Sequence, residues 1–257
     1  MTRTFSQRRS PREALRRAAE DDTVVLYGWH PVREALSNPA RKPRKLLVTE
    51  NALRRLTEDG VPTRITPEIV RPDAIDRLLT PDAVHQGLYL EADPLHAPDF
   101  GALGPSDVVL VLDQVTDPHN VGAILRTAAA FKIAAVLTTE RHSPAATGVL
   151  AKAASGGLEH VPIVFVKNLG DTLEALGRDG VQRIGLDSEG PAILEETSLS
   201  GPLALVLGAE GKGLRQRTRQ TCDALARLDM PGSIKSLNVS NAAALALYIV
   251  RSRISVR

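Results

Sequence analysis

The stretch LVLGAEGKGLRQRT, from Leu205 to Thr218, is followed by LDMPGSIKSLNVSNAAALALYIVRSR, from Leu228 to Arg253. Each places glycines and small polar side chains directly after an apolar run. Enzymes with parallel sheets build their pockets from such loops, because the carboxyl ends of the strands meet at one edge. The two stretches therefore predict a ligand pocket in an α/β domain.

Apolar runs without polar alternation precede these stretches, which is typical of parallel strands covered on both faces by helices. The five runs are VVLVLD at 108–113, IAAVLTT at 133–139, HVPIVFV at 160–166, RIGLDS at 183–188 and PLALVLG at 202–208. They predict an α/β domain over residues 107–257.

Shorter strand-type and helical segments alternate over residues 23–92 and predict a second, small α/β domain. Residues 93–106 are rich in proline and glycine and predict a linker. Residues 1–22 carry six arginines and four acidic residues. We interpret them as a basic, disordered or partly helical arm, with an RNA-contacting tail as the alternative.

The composition limits the possible classes of protein. Cys222 is the only cysteine, so no intramolecular disulfide or cysteine-based zinc cluster is expected. No apolar run approaches the ~20 residues that span a bilayer, and the first residues lack an apolar signal core. We expect a cytoplasmic protein. The net charge of +2 is small, so any basic surface for RNA must be created by folding.

The segment DQVTDPHNVGAILRTAAAF, residues 113–131, predicts a helix with Asn120 as its cap. Gly122 and Arg126 are four residues apart on one helix face, which predicts open space beside the guanidinium. An arginine there can hold a phosphate with two parallel hydrogen bonds. The alternative is an ordinary solvated arginine.

The loop GAEGKG, residues 208–213, is not a Walker A sequence, because Lys212 is followed by Gly213 rather than Ser or Thr. Its glycines permit close approach of the backbone to a flat ligand. Glu210 is placed to hold Arg126 or a substrate hydroxyl, although a plain strand-to-helix turn is equally compatible with the pattern.

The segment that precedes the last helix holds more small polar residues than one helix cap needs. They are Pro231, Gly232, Ser233, Ser236, Asn238, Ser240 and Asn241. We expect some of them to face a ligand. The helix predicted at 241–253 is apolar nearly all round, which indicates burial against the sheet or a partner subunit.

Three motifs, DPHNVGAILRTAAAF, LGAEGKGLR and SLNVSNAAA, occur in this order, with LYGWHPVREAL (26–36), HQG (85–87) and KAASGGLEHVPI (152–163). The chain therefore resembles the TrmH-type RNA 2'-O-ribose methyltransferases of the SPOUT superfamily, and among them the bacterial 23S rRNA guanosine-2'-O-methyltransferases. The resemblance covers nearly the whole chain after the arm.

This resemblance implies that residues 107–257 form an α/β domain with a deep trefoil knot, which general rules of chain topology exclude. It also implies an amino-terminal domain like that of RNA-binding ribosomal proteins, a homodimer, and neither a metal nor a membrane partner. A basic cluster in the amino-terminal domain is a candidate for RNA phosphates, with a solvated turn as the alternative. It consists of Arg41, Lys42, Arg44 and Lys45.

The resemblance further implies that S-adenosylmethionine binds to loop residues of the second domain. These are Leu207, Gly208, Glu210, Gly211, Leu228, Met230, Ser236, Leu237 and Asn238. The residues implied in catalysis are Asn120, Arg126, Glu210, Ser236 and Asn238. The family sometimes casts the arginine as a base, but a guanidinium pKa above about 12 favours a phosphate clamp that stabilises developing alkoxide.

The sequence leaves three alternative functions open. They are a tRNA ribose methyltransferase of the same fold, a non-catalytic RNA-binding assembly factor, and a resistance-conferring rRNA methyltransferase. The ribosomal-protein-like domain favours rRNA over tRNA, because the tRNA enzymes of the family usually lack it. The intact set of cofactor and catalytic residues argues against a pure binding protein.

Overall fold

The computed structural model describes residues 23–95, 103–139, 148–233 and 236–254. The predicted arm and the middle of the predicted linker lie outside these ranges. Within them, no helix is both long and apolar enough to cross a membrane.

The amino-terminal domain is built on a four-stranded sheet in the order β1-β4-β2-β3. Strand β4 is antiparallel to β1 and β2, whereas β3 is parallel to β2. The strands are β1 (Val24–Tyr27), β2 (Pro43–Val48), β3 (Glu68–Ile69) and β4 (Leu88–Ala92). The helices are α1 (Trp29–Ser37), α2 (Glu50–Glu58) and α3 (Pro72–Asp76).

The second domain contains a seven-stranded sheet in the order β7-β6-β5-β10-β8-β11-β9, in which every pair is parallel. The strands are β5 (Val108–Asp113), β6 (Ala135–Thr139), β7 (Ile163–Val166), β8 (Gln182–Leu186), β9 (Ala192–Ile193), β10 (Leu203–Gly208) and β11 (Ala224–Arg227). The helices are α4 (Pro118–Ala130), α5 (Gly148–Ala154), α6 (Leu169–Arg178), α7 (Gln216–Thr221) and α8 (Val239–Arg253), with a 3-10 turn at Gly157–Glu159.

The central strand β5 explains why its run shows no polar alternation. Leu110 and Leu112 face one apolar cluster, while Val109 and Val111 face a second cluster on the other side of the sheet. Helices α4 and α8 bury side chains in the first cluster, and α6 does so in the second. Both faces are therefore covered, as the five runs predicted.

The first cluster also continues into the amino-terminal sheet, where it includes Leu26, Leu46 and Leu88. Strands β9 and β11 were not predicted, because they are short, lie at one edge of the sheet and carry no distinctive apolar run. Helix α8 begins at Val239, two residues before the predicted start, since Asn238 caps it.

Candidate active site

A cavity of about 270 Å³ lies at the carboxyl ends of β8, β10 and β11. Eight of the nine residues predicted to bind a cofactor line it: Leu207, Gly208, Glu210, Gly211, Leu228, Met230, Ser236 and Leu237. Leu186 and Asp187, at the end of β8, also line the cavity, and the sequence analysis did not predict them. An acidic residue directly after the apolar run RIGL was the available signal.

The loop after β10 folds back on itself. The N–H of Gly213 donates to the carbonyl of Ala209 at 2.9 Å. A Cβ added at Gly208 would lie 2.5 Å from the backbone nitrogen of Leu214, so only glycine permits this approach. Gly211 has a φ of 76° and nothing within 4 Å of its absent Cβ. The loop therefore offers bare backbone to the cavity, as a flat ligand requires.

Two buried carboxylates hold this loop and its neighbours in place. The Asp113 side chain, at the end of β5, is fully buried and accepts hydrogen bonds from the backbone N–H of Arg215 at 3.0 Å and from its Nε at 2.6 Å. Asp187 pairs with Arg219 and accepts from the N–H of Glu189 at 2.9 Å. Asp187 lines the cavity itself, and the pair of Asp113 with Arg215 ties the end of β5 to the residue that follows the loop at 208–213.

Asn120 and Asn238, which are distant in the sequence, meet through their side chains. The Nδ2 of Asn238 donates to the Oδ1 of Asn120 at 3.1 Å. The Oδ1 of Asn238 caps α8 by accepting from the N–H and the Oγ of Ser240 at 2.8 and 2.6 Å. Asn238 is the one predicted cofactor residue that does not line the first cavity, because its side chain is turned to this cap and to α4.

The prediction that Asn120 caps helix α4 is wrong. The cap is Asp117, whose Oδ1 accepts from the N–H of His119 at 3.0 Å, and Pro118 occupies the first helical turn. Proline suits that position because it lacks an N–H. Asn120 therefore lies inside the first turn, where its side chain is available to Asn238.

A second cavity, of about 570 Å³, lies beside the first. Asn120, Asp117 and Thr116 form its wall on the α4 side, while Ala209, Glu210 and Val239 line both cavities. Glu210 is exposed and has no hydrogen bond or ion pair with another described residue. It therefore stands between two spaces with its carboxylate available.

Arg126 lies on the exposed side of α4 and has no polar partner among the residues that the structure describes. It lines neither cavity. It follows Asn120 by six positions, which places the two about 9 Å apart along the helix axis and about 120° apart around it. The expected pairing of Arg126 with Glu210 is absent from the described residues.

The prediction of open space beside Gly122 is also wrong. A Cβ at Gly122 would lie 2.9 Å from the backbone carbon of Ala153 and from the nitrogen of Ala154, so α5 packs directly against this position. The glycine is there for close helix packing. The space that its missing side chain creates is filled by protein.

The predicted basic cluster is only partly available to RNA. Arg41 is 3% exposed and is paired with the buried Glu159, while Arg44 pairs with Asp93. Lys42 and Lys45 are exposed. The sequence could not reveal this, because Glu159 is 118 residues from Arg41.

The family model described as SpoU rRNA Methylase family matches residues 107–248, more than half of the chain. The chain belongs to this family. A second model, described as RNA 2'-O ribose methyltransferase substrate binding, matches residues 25–98 of the methylase. The protein is therefore an RNA 2'-O-ribose methyltransferase, as the three motifs implied.

Relatives match the methylase along nearly its whole length. The 23S rRNA (guanosine-2'-O-)-methyltransferase RlmB of Vibrio cholerae is 38% identical over an alignment of 251 positions that covers 91% of this chain and 98% of that protein. The RlmB of Pseudomonas aeruginosa is 37% identical over 89% of this chain and 96% of its own.

A solved structure has the same architecture as the methylase. It is the SpoU methyltransferase AviRb from Streptomyces viridochromogenes in complex with the cofactor AdoMet, with a TM-score of 0.77, 25% identity and 96% of each chain covered. The small domain and the methyltransferase domain thus occur together in a known methyltransferase.

Proposed function

We propose that the protein transfers the methyl group of S-adenosylmethionine to the ribose 2'-oxygen of a guanosine in 23S rRNA. The observation that carries this proposal is the cavity at the ends of β8, β10 and β11, in a chain similar to RlmB over 91% of its length. An enzyme with this substrate works in the cytoplasm, which is the location that we propose.

The first cavity fits the chemistry of S-adenosylmethionine. Leu186, Leu207 and Leu228 provide apolar walls for a flat purine, and the bare backbone at Gly208 and Gly211 allows close approach. Asp187 and Glu210 also line the cavity. The Asp187 carboxylate is paired with Arg219, so the charge that complements a positive sulfonium is that of Glu210. When bound there, S-adenosylmethionine supplies an electrophilic methyl group.

We infer that the second cavity receives the ribose. Glu210 borders both spaces, and its carboxylate, which has no partner among the described residues, is placed to accept a hydrogen bond from a 2'-hydroxyl. Asn120 uses its Oδ1 to accept from Asn238, so its two N–H donors remain for an oxygen that gains negative charge. Ser236, at the rim of the first cavity, is exposed and completes the polar set.

We assign Arg126 the role of a phosphate clamp rather than that of a base. A guanidinium stays protonated at physiological pH, so it cannot accept the hydroxyl proton. Its lack of a partner among the described residues leaves the whole fork available to a phosphate, which it can bind through two parallel hydrogen bonds.

We further propose that the protein is a homodimer that associates through α8. Leu245 and Tyr248 are 49% and 63% exposed and lie on one face of this helix. Tyr248 also packs edge-on against Phe131, which follows α4, with ring centroids 6.5 Å apart. Burial of this apolar face against a second copy would bring another chain beside Phe131, at the end of α4. Sedimentation equilibrium of the parent and of a Leu245→Asp/Tyr248→Ser variant tests this, and a monomeric parent would contradict it.

The decisive test of the activity is transfer of labelled methyl from S-adenosylmethionine to naked 23S rRNA, to precursor ribosomal particles and to bulk tRNA. We expect label on one guanosine ribose of 23S rRNA, mapped by nuclease digestion and mass spectrometry, and its loss with Arg126→Ala. Label on tRNA alone, or on a base rather than a ribose, would overturn the proposal. Cofactor binding with no transfer to any of these RNAs would do the same.

A further inference from the structure

A buried ion pair joins the amino-terminal domain to the methyltransferase domain. Arg41, which precedes β2, and Glu159, which ends the 3-10 turn, have side chains that are only 3% and 2% exposed. Arg41 donates from Nε to one carboxylate oxygen of Glu159 at 3.0 Å and from Nη2 to the other at 2.7 Å. This two-point geometry sets direction as well as distance.

Two further contacts complete the arrangement. Asn38, just after α1, donates from Nδ2 to the Glu159 carboxylate at 3.0 Å and to its backbone carbonyl at 3.1 Å. The Nη1 of Arg41 donates to the carbonyl of Asp93 at 2.6 Å, just after β4. One guanidinium therefore holds both the point where the chain leaves the first sheet and the second domain. We call Asn38, Arg41 and Glu159 the interdomain cluster.

The segment that carries Glu159 also lies against the helix of Arg126. A Cβ at Gly157 would be 2.9 Å from the carbonyl oxygen of Leu125 and 3.1 Å from the nitrogen of Arg126. On the other side, Gly156 has a φ of 89°, and a Cβ there would be 3.0 Å from the Cβ of Glu34 in α1. Gly156 and Gly157 thus fill the space between α1 and the backbone at Arg126, with no room for a side chain at either position.

We propose that Arg41 and Glu159 are positioning residues, which hold the amino-terminal domain at a set distance and orientation from Arg126 so that bound RNA presents one ribose to the site. This inference rests on the proposed function only in that RNA must contact both domains. The geometric part, a fixed arrangement of the domains, stands on the contacts alone.

The ion pair is better suited to orientation than to stability. Burying two charges offsets most of their attraction, so apolar residues of the same shape hold two surfaces together at least as well. Apolar contacts, however, permit sliding, whereas a bidentate pair with a third donor permits one arrangement. An RNA that contacts two surfaces binds more tightly when their spacing is set beforehand, because the second contact then forms without further ordering.

The test compares Glu159→Gln and Arg41→Lys with the parent protein. The glutamine keeps the shape and removes the charge, and the lysine keeps the charge and removes the two-point geometry. We expect the KM for 23S rRNA to rise roughly tenfold in Glu159→Gln, and less in Arg41→Lys, while the Kd for S-adenosylmethionine changes by less than about twofold. The turnover number at saturating RNA should fall less than the KM rises.

The matched control is Asp223→Asn, which breaks a hydrogen-bonded ion pair with Arg183 inside the methyltransferase domain. It should lower the melting temperature without raising the KM for RNA. If the KM for RNA instead rises in proportion to the lost stability in both Glu159→Gln and Asp223→Asn, the interdomain cluster has only a structural role and the proposal is overturned.

Small-angle X-ray scattering of the parent and Glu159→Gln decides the geometric part without any activity. We expect a larger radius of gyration and a broader distance distribution in the variant. Identical scattering together with an unchanged KM would overturn the proposal. A parent that methylates no RNA would defeat the proposed function, yet the scattering comparison would still support or refute the fixed domain arrangement.

A covalent tether gives a further check. The exposed His160 and the half-buried Glu34 form an interdomain pair, with 3.5 Å between the carboxylate and the imidazole. In a Glu159→Gln background, Glu34→Cys and His160→Cys joined by a short bis-maleimide should restore the parent KM for RNA. If a tethered protein with parent-like scattering keeps the raised KM, domain position is not what the cluster controls.

Discussion

Two regions of the active site differ in how their charged side chains are partnered. On the cofactor side, Asp187 lines the cavity and is paired with Arg219. The buried Asp113 is paired with Arg215, which follows the loop at 208–213 that lines this cavity. On the substrate side, Glu210 and Arg126 are exposed, and neither has a partner among the described residues. The cofactor cavity is thus shaped by the chain itself, whereas the substrate side is left to be completed by RNA.

This difference follows from what each region must bind. A small cofactor is recognised best by preorganised walls, because ordering them on binding would weaken the affinity. A polyanion supplies its own counter-charges, so a cation that already had an internal partner would have to give it up. Substitutions that remove or measure this difference should decrease in effect from Arg126 through Asp113 and Gly208 to Cys222.

The largest effect is expected at Arg126. Arg126→Ala should lower methyl transfer on the order of 100- to 1000-fold, because it removes a charged donor that the substrate side cannot replace. Arg126→Lys should also lose most activity, since a point charge cannot copy the guanidinium fork. Radiolabel transfer measures both, and the cofactor Kd should not move. Near-parental turnover of the lysine variant would rule out the clamp.

Loss of the Asp113 carboxylate should lower the stability of the protein. Asp113→Asn leaves the buried end of the pair without its charge, which lowers the free energy of unfolding by roughly 2 to 3 kcal/mol after allowance for the exposure of Arg215. Urea denaturation measures this. Asp171→Asn, which breaks an exposed pair with Arg217, is the control and should cost about 0.5 kcal/mol or less. Equal effects of the two changes would show that burial of Asp113 does not matter.

Gly208→Ala should distort the loop without touching its charges. The added Cβ would lie 2.5 Å from the nitrogen of Leu214, so the backbone must move and the Kd for S-adenosylmethionine should rise at least about tenfold. Gly60→Ala makes the same substitution in the amino-terminal domain and serves as the control. The φ of 66° at Gly60 strains alanine, but no atom lies within 4 Å of the added Cβ. Calorimetry should find no change in cofactor affinity for Gly60→Ala, and a normal affinity for Gly208→Ala would argue against close backbone approach.

The smallest expected effect concerns Cys222, which lies against Gly185 of β8 and packs on the second apolar cluster. Burial raises the pKa of its thiol to about 12 from the ordinary value of 9.0. At pH 8 the folded protein should therefore react with a thiol reagent at least about 100-fold more slowly than the unfolded chain.

The raised pKa of Cys222 also makes the stability of the protein depend on pH. Because the folded protein favours the protonated thiol, the contribution is complete below pH 9 and is lost as the pH rises from 9 towards 12. Urea midpoints measured from pH 8 to pH 10, with Cys222→Ser as the control, should show a fall that the serine variant lacks. Rapid labelling of native protein at pH 8 would contradict the burial.

Much of the architecture could be read from local patterns. The uninterrupted apolar runs at 108–113 and 202–208 became the paired central strands β5 and β10, because a residue inside a covered parallel sheet must be apolar on both faces. The loops that follow them line the two cavities, since the carboxyl ends of parallel strands share one edge. The trefoil knot stays a prediction, as do the catalytic roles of the five assigned residues.

By itself, then, the sequence determined the α/β class, the main strands and the loops that carry the chemistry. These depend on periodicity and on residue types within a few positions of each other. Only the tertiary structure decided that Gly122 is filled by α5, that Asn120 pairs with Asn238 and that Arg41 is buried by Glu159. Such outcomes depend on contacts between segments far apart in the chain, and no local pattern records which distant side chain will remove a given group from water.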